Sequence, residues 1–322
     1  MLTPRSTNLH QHNNEEAKLD MSKLAPKLSI KQWPKWFLVG CLWVVARLPM
    51  GAVFAVGRVI GFLGYHLAKS RRHITEVNIA KCFPELSAQQ QKALVRENFV
   101  HTGIGAVEIA LPWLNPTRDL ADRFKIEGLE HLNAAHDLGN GIVLVGAHYT
   151  TIDITSQPLG SLGFVDVMYR QNKDPVWESL QYNGRKAFFD GVVERSDMRQ
   201  ILKRLRQGRT MWYAADQDYG IKHSVFAPFF GIDTATITVT SRLASKNKSA
   251  VLMLHQFRDL KRKTWTLKFT PMLENFPSGD DLADATRLNA MLEAEVKSVP
   301  AQYLWMHRRF KTRPTGEAPF YK

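Results

Sequence analysis

The chain's clearest chemical candidate is His148-Tyr-Thr-Thr-Ile-Asp153, which follows directly on the apolar run 142–147. An imidazole beside a carboxylate makes a general base, because the acid fixes the tautomer and stabilises the imidazolium, as in a Ser-His-Asp triad. The enzyme need supply no nucleophile if the substrate brings a hydroxyl. Spacing alone is weak support, since flat composition yields about one His-x4-acid pair in a chain of this size. His10-x4-Glu15, in the polar N-terminal stretch, fits equally well. Context separates the two: His148 ends a buried strand, where open α/β sheets place their sites. Five residues of helix rotate a side chain by ~140°. The pair therefore converges only with His148 in a turn and Asp153 in the first turn of a following helix. A structural histidine capping the strand end is the competing reading.

Three further groups qualify. Asp216-Gln217-Asp218 follows the strand-like run 210–214, and paired acids there can bind a metal, accept hydrogen bonds from a sugar, or order Lys222 and His223. An acidic loop without special role is the plain alternative. Arg170 ends the run 165–169, a position suited to an anionic group or a developing oxyanion. Basic residues concentrate in 185–209, with eight Lys/Arg against three acids, and in 299–322, with five against one. Such runs are usually solvated faces, but Tyr303, Trp305 and Phe310 among the second set also suit a sugar or nucleic-acid surface. GxxxxGK[ST], HExxH and GxSxG are absent, and Gly139-x-Gly141 precedes a strand instead of following one.

These residues need a scaffold. The 322 residues are 44% hydrophobic and 23% charged, a globular composition that excludes wholesale disorder and a polytopic membrane protein. Two cysteines, Cys41 and Cys82, provide neither a disulfide framework nor a Cys-rich zinc site. The net charge of +13 predicts an anionic partner, whether nucleic acid, lipid, phosphorylated substrate or acidic protein.

Residues 1–32 read as a disordered polar tail, 33–72 as a membrane anchor and 73–322 as one catalytic domain. Trp36–Gly57 is apolar apart from Arg47, long enough to span a bilayer or to enter it as a bent hairpin at Pro49. A buried helix pair in a soluble protein is the alternative. Strand-like runs at 142–145, 165–169, 210–214, 251–257 and 264–269 alternate with helical stretches at 151–162, 175–185 and 197–207. Further helices are expected at 88–112 and 280–299. The pattern predicts an α/β fold with a mostly parallel sheet covered by helices.

Several motifs together carry a family likeness. Asn78-Ile-Ala-Lys-Cys-Phe-Pro-Glu85, His148-x4-Asp153, Met168-Tyr-Arg170, Trp212-Tyr-Ala-Ala-Asp-Gln-Asp-Tyr-Gly220 and Gln302-Tyr-Leu-Trp-Met-His-Arg-Arg-Phe-Lys-Thr-Arg-Pro314 follow the hydrophobic segment in that order. The set resembles the bacterial late acyltransferases of lipid A biosynthesis, most of all the lauroyl type, over roughly residues 35–316. Relatives often carry Glu where this chain has Asp153 and His where it has Gln217. The resemblance implies a glycerolipid acyltransferase-like fold in an enzyme of the inner membrane with its site on the cytoplasmic side. Its donor would be the acyl thioester of acyl carrier protein. Its acceptor would be a hydroxyacyl chain on a phosphorylated, Kdo-bearing glycolipid. It implies no metal and no organic cofactor.

By the same likeness His148 is the general base and Asp153 its orienting acid. Arg170 and Arg195 would contact thioester or phosphate, and Asp216 and Asp218 the sugar. His307, Arg308 and Arg309 join the expected substrate-binding set. Two rivals remain. A lysophospholipid or glycerol-3-phosphate acyltransferase shares the His-x4-Asp logic, but its usual Glu-Gly-Thr-Arg segment is missing. A non-enzymatic, basic, membrane-peripheral nucleic-acid-binding protein would be indifferent to His148.

Overall fold

The computed structural model describes residues 32–321. The expected polar tail, except its last residue, lies outside them. In chain order the helices are α1 (Trp33–Val45), α2 (Met50–Leu67), α3 (Lys69–Cys82), α4 (Ala88–Glu108), α5 (Ala110–Leu114), α6 (Leu129–Asp137), α7 (Ser156–Gly160), α8 (Pro175–Lys186), α9 (Met198–Arg206), α10 (Val239–Asn247) and α11 (Asp281–Ser298). The strands are β1 (Phe124–Glu127), β2 (Ile142–Gly146), β3 (Val165–Tyr169), β4 (Val192–Glu194), β5 (Thr210–Ala214), β6 (Ser224–Phe229), β7 (Ile232–Ile237), β8 (Ala250–Asp259) and β9 (Thr264–Phe269).

Seven strands form one sheet in the order β1-β9-β8-β2-β5-β3-β4, parallel except where β8 meets β9. The central strand β2 is buried along its whole length, as its unbroken apolar run requires when helices cover both faces. Val143, Val145, Met211 and Met253 pack on one face against Ile201 and Leu205 of α9 and Leu243 of α10. Ile142, Leu144, Trp212 and Leu252 pack on the other face with Leu132 of α6 and Leu159 of α7. The expected α/β architecture is present. The hairpin β6–β7 is an addition that strand periodicity did not announce.

Local capping explains several helix starts. Ser87 and Gln90 form a capping box at α4. Asp174, Asp197 and Asp280 accept backbone N–H groups at α8, α9 and α11. One expected helix is much shorter than its pattern suggested: of 151–162, only Ser156–Gly160 is helical. Tertiary hydrogen bonds occupy the backbone before it. The Thr150 N–H donates to the Gln302 carbonyl at 2.9 Å, and the Thr150 carbonyl accepts from Arg258 at 3.1 Å.

Arg258 is itself fully buried, paired with Glu108 of α4 and accepting help from His101, whose Nδ1 receives an Arg258 N–H at 3.0 Å. A buried charge of this kind is tolerated only when its hydrogen bonds are satisfied. It fastens α4 to the loop that follows β2. Contact there is close: a Cβ on Gly105 would fall 2.0 Å from the Thr150 carbonyl oxygen. The C-terminal segment is held in the same way. Asn98 donates to the carbonyls of Ala301 and Tyr303, and Asn78 to those of Trp305 and His307. Leu304 N–H then bonds the His148 carbonyl at 2.9 Å.

The apolar stretch before residue 68 is two helices, with Pro49 at the N-cap of the second. One face of α2 packs on α4, where Gly57 and Gly61 meet Gly103 with no room for a side chain; a Cβ on Gly103 would lie 2.2 Å from the Gly61 nitrogen. The opposite face exposes Val59, Ile60, Phe62, Leu63 and Leu67, and α1 exposes Phe37, Leu38 and Trp43. Among the described residues α2 alone is long and apolar enough to cross a membrane, and 33% of it is buried.

Candidate active site

Strand register builds the centre. Gly146 of β2 pairs with Ala214 of β5, so His148 and Asp216 both lie two residues past a matched pair at the carboxyl end of the sheet. Their side chains meet: His148 Nδ1 is 2.6 Å from Asp216 Oδ1. The His148 backbone N–H also reaches both carboxylate oxygens at 3.1 Å. Burial by itself would raise the Asp216 pKa. The adjacent His148 ring and its hydrogen bonds, with a further bond from the Tyr303 hydroxyl, outweigh it and hold the carboxyl well below the usual range. Tyr303, wholly buried, is pushed far up and stays a donor.

The other ring nitrogen faces an amide. Gln217 Nε2 is 3.0 Å from His148 Nε2 and 3.0 Å from His307 Nδ1, while its Oε1 accepts the Tyr219 hydroxyl at 3.3 Å. An amide nitrogen only donates. His148 Nε2 therefore carries the lone pair and Nδ1 the proton, the tautomer a general base needs. Burial, and then the nearby His148, lower the His307 pKa to about 4, so at neutral pH its ring is uncharged and can accept.

The acid on His148 Nδ1 is not the one that His-x4-Asp suggests. Asp216 takes that place, and Asp153 bonds Arg185 of α8 at 2.8 Å. The shortened helix explains the exchange, because the turns over 150–155 carry Asp153 toward α8. Asp218 is engaged within the protein. Its carboxylate receives the Thr312 N–H at 2.6 Å, the Thr312 hydroxyl at 2.8 Å and the Gly220 N–H at 2.8 Å, so it clamps a loop and has little capacity left for a sugar. Of the trio at 307–309 only His307 reaches the centre. Arg309 is buried and bonds the Ala235 carbonyl at 2.9 Å, and Arg308 is exposed near Tyr321.

A cavity of about 730 Å³ opens over His148 and Gln217, within the range of small-ligand sites. Its apolar wall includes Ile152, Met168, Trp212, Ile237, Val239 and Leu243. Arg170 and Arg195 line it, joined by Arg185, Lys222, Arg242 and Lys246. Gln217 was inside a recognised motif yet had no role assigned. Arg185 gave no signal beyond its place in a basic helix end.

An apolar cavity with a cationic rim and a carboxylate-steered imidazole suits transfer of a hydrocarbon-bearing acyl group to an alcohol. Comparison with known proteins makes the class definite. Residues 21–312 match the family described as bacterial lipid A biosynthesis acyltransferase, and the chain belongs to it. It is an acyltransferase. It is 33% identical to the lipid A biosynthesis palmitoleoyltransferase of Escherichia coli K12 over 292 residues, 90% of this chain and 95% of that protein. It is also 33% identical to the lauroyltransferase of the same organism over 287 residues, 89% and 94% of the two chains. The myristoyltransferase of that strain is 26% identical over 294 residues, 91% of each. The non-enzymatic reading falls away.

Proposed function

We infer that the protein moves a fatty acyl chain, lauroyl in our reading, from the thioester of acyl carrier protein to a hydroxyl on an acyl chain of Kdo2-lipid IVA. One observation carries the mechanism: at the cavity wall Asp216 holds His148 Nδ1, while among the described residues the opposite nitrogen meets only the Gln217 amide, which also lines the cavity. The acceptor hydroxyl displaces the Gln217 N–H from Nε2 and gives its proton to that nitrogen. Its oxygen attacks the thioester carbonyl, and the Asp216 carboxylate stabilises the imidazolium. The carbonyl electron pair moves to an oxyanion facing the basic rim, where Arg170 and Arg185 stand. Collapse restores the carbonyl, breaks the carbon–sulfur bond, and returns the proton from His148 to the departing thiolate. General-base catalysis of this kind contributes ~10²–10⁴-fold.

The remaining parts of the reading have separate support. The relatives named for lauroyl and palmitoleoyl transfer are equally similar, so donor length is a direct comparison between those two. The basic rim suits a phosphorylated acceptor. The exposed apolar faces of α1 and α2 suit a bilayer surface, with the exposed Arg58 on α2 available to headgroups. We place the enzyme at the cytoplasmic side of the bacterial inner membrane, where a carrier-bound donor and a lipid acceptor meet.

The test is direct. Purified protein is incubated with lauroyl- and palmitoleoyl-acyl carrier protein and the tetraacyl Kdo-bearing acceptor, and the lipid product is weighed by mass spectrometry. One added chain, lost in His148→Ala, is the expected result. An unchanged acceptor, or full transfer by His148→Ala, would remove the proposal.

A further inference from the structure

Helix α9 carries more positive charge than its fold requires. Ile201 and Leu205 bury its inner face. Arg204 turns toward the sheet edge, where it and Arg209 each bond the fully buried Asp166 carboxylate at 2.7 Å. Arg199, Lys203 and Arg206 have no such role. All three are exposed and make no ion pair or side-chain hydrogen bond among the described residues. Spacings of four and three residues align them in one row along the helix. The helix dipole favours Lys203 and Arg206 near the C-terminal end but disfavours a cation such as Arg199 in the first turn. Helix stability therefore does not account for Arg199.

Position supplies a reason. The row begins at the cavity mouth, which Arg195, Ser196 and Met198 line just before it. The described residues around the cavity include six Lys/Arg and no Asp or Glu, so the row continues a rim of one sign. From Arg199 to Arg206 it runs about 10 Å along the helix axis. That is longer than a single phosphate and fits an extended acidic surface. A bilayer is the poorer match. Membrane-binding helices combine cations with a broad apolar face, whereas the only large apolar side chain that α9 exposes is Met198, at its cavity end.

We propose that Arg199, Lys203 and Arg206 form the docking surface for the acidic carrier protein that presents the acyl thioester. Docked there, the carrier's thioester arm passes Met198 to enter the cavity. The proposal rests on the donor reading given above, and it adds where that donor binds. Complementary charge of this kind acts mainly on encounter and weakens with salt.

The experiment reverses the row with Arg199→Glu, Lys203→Glu and Arg206→Glu together. It compares two lauroyl donors, the carrier-protein thioester and the small uncharged N-acetylcysteamine thioester. Expected at low salt is a loss of ~10-fold or more in kcat/KM for the carrier donor. That loss should shrink as salt rises, while turnover of the small donor and the thermal midpoint hold. Equal losses with both donors, or no loss with the carrier, would overturn the proposal. So would a defect that follows the acceptor KM or binding to phosphatidylglycerol vesicles, which would assign the row to lipid phosphate. If wild type transfers from neither donor, the donor reading fails by itself. Direct titration with the carrier protein then decides the surface: binding lost on reversal supports it, and binding unchanged refutes it.

Discussion

Asp216 Oδ1 and His148 Nδ1 are 2.6 Å apart although 68 positions separate them in the chain. The parallel pairing of β2 and β5 brings the two strand ends level, and a third group, the Tyr303 hydroxyl, completes the carboxylate's shell. Replacing Asp216 with Asn removes the charge that stabilises imidazolium. It also lets an amide N–H face Nδ1, which favours the wrong tautomer. Turnover of Asp216→Asn is expected to fall by ~10²–10⁴-fold with little change in KM. Initial rates with the carrier donor check this, and a fall below tenfold would deny Asp216 the orienting role.

Asp153 acts through Arg185 if the 2.8 Å pair between them is what places that guanidinium at the cavity wall. Residues that share one interaction lose it only once. The double variant Asp153→Asn/Arg185→Gln is therefore expected to be no slower than the worse of the two single variants. Rates for all four proteins in a double-mutant cycle measure this. Losses that multiply would show that Asp153 meets substrate or His148 independently of Arg185.

Gln217 sets a different constraint, because its N–H caps the nitrogen that must accept a proton. Glu at this position has nearly the same shape but only accepts. A second carboxylate would draw a proton onto Nε2 and leave no lone pair for the acceptor hydroxyl. Gln217→Glu is expected to lose ~10²-fold or more in kcat. Gln217→Leu, which simply vacates the nitrogen, is expected to lose far less. Steady-state kinetics on both variants, with circular dichroism to confirm folding, separates the two effects.

Much of this was legible in the chain. The run 142–147 announces a buried strand, and strand-end position marks His148, Arg170 and Asp216 in the sequence itself. The partner of His148 was not legible, because it depends on which strand lies beside β2. The order β2-β5 is a tertiary fact, whereas His-x4-Asp is a local pattern. Thr150 illustrates the same limit: its helix-like context yields to a bond it donates to Gln302 and one it accepts from Arg258, both more than 100 positions away. Charge at 307–309 likewise concealed three environments. Arg309 serves β7, Arg308 faces solvent, and His307 alone meets the site.

The buried histidines that support the scaffold make a prediction for pH. Burial, and then the charge of Arg258, bring the His101 pKa down from 6.5 to about 3, and burial brings that of His255 to about 4. Between pH 6.5 and about 4 the unfolded chain binds protons at these rings that the folded protein excludes. Each drop in pH therefore favours unfolding, by up to about 1.4 kcal/mol per pH unit for each ring. Asp216 adds a second, lower window. Its folded pKa is depressed, so its contribution is present above the ordinary value of 3.8 and is lost only as pH falls further. Urea midpoints are thus expected to decline from pH 6.5 to 4.5. The decline should be shallower in His101→Gln, whose side-chain oxygen can still accept from Arg258. A midpoint that stays level over that range in wild type would mean that these rings take up protons without opening the fold, and the buried Arg258–Glu108 support of the loop after β2 would need a different account.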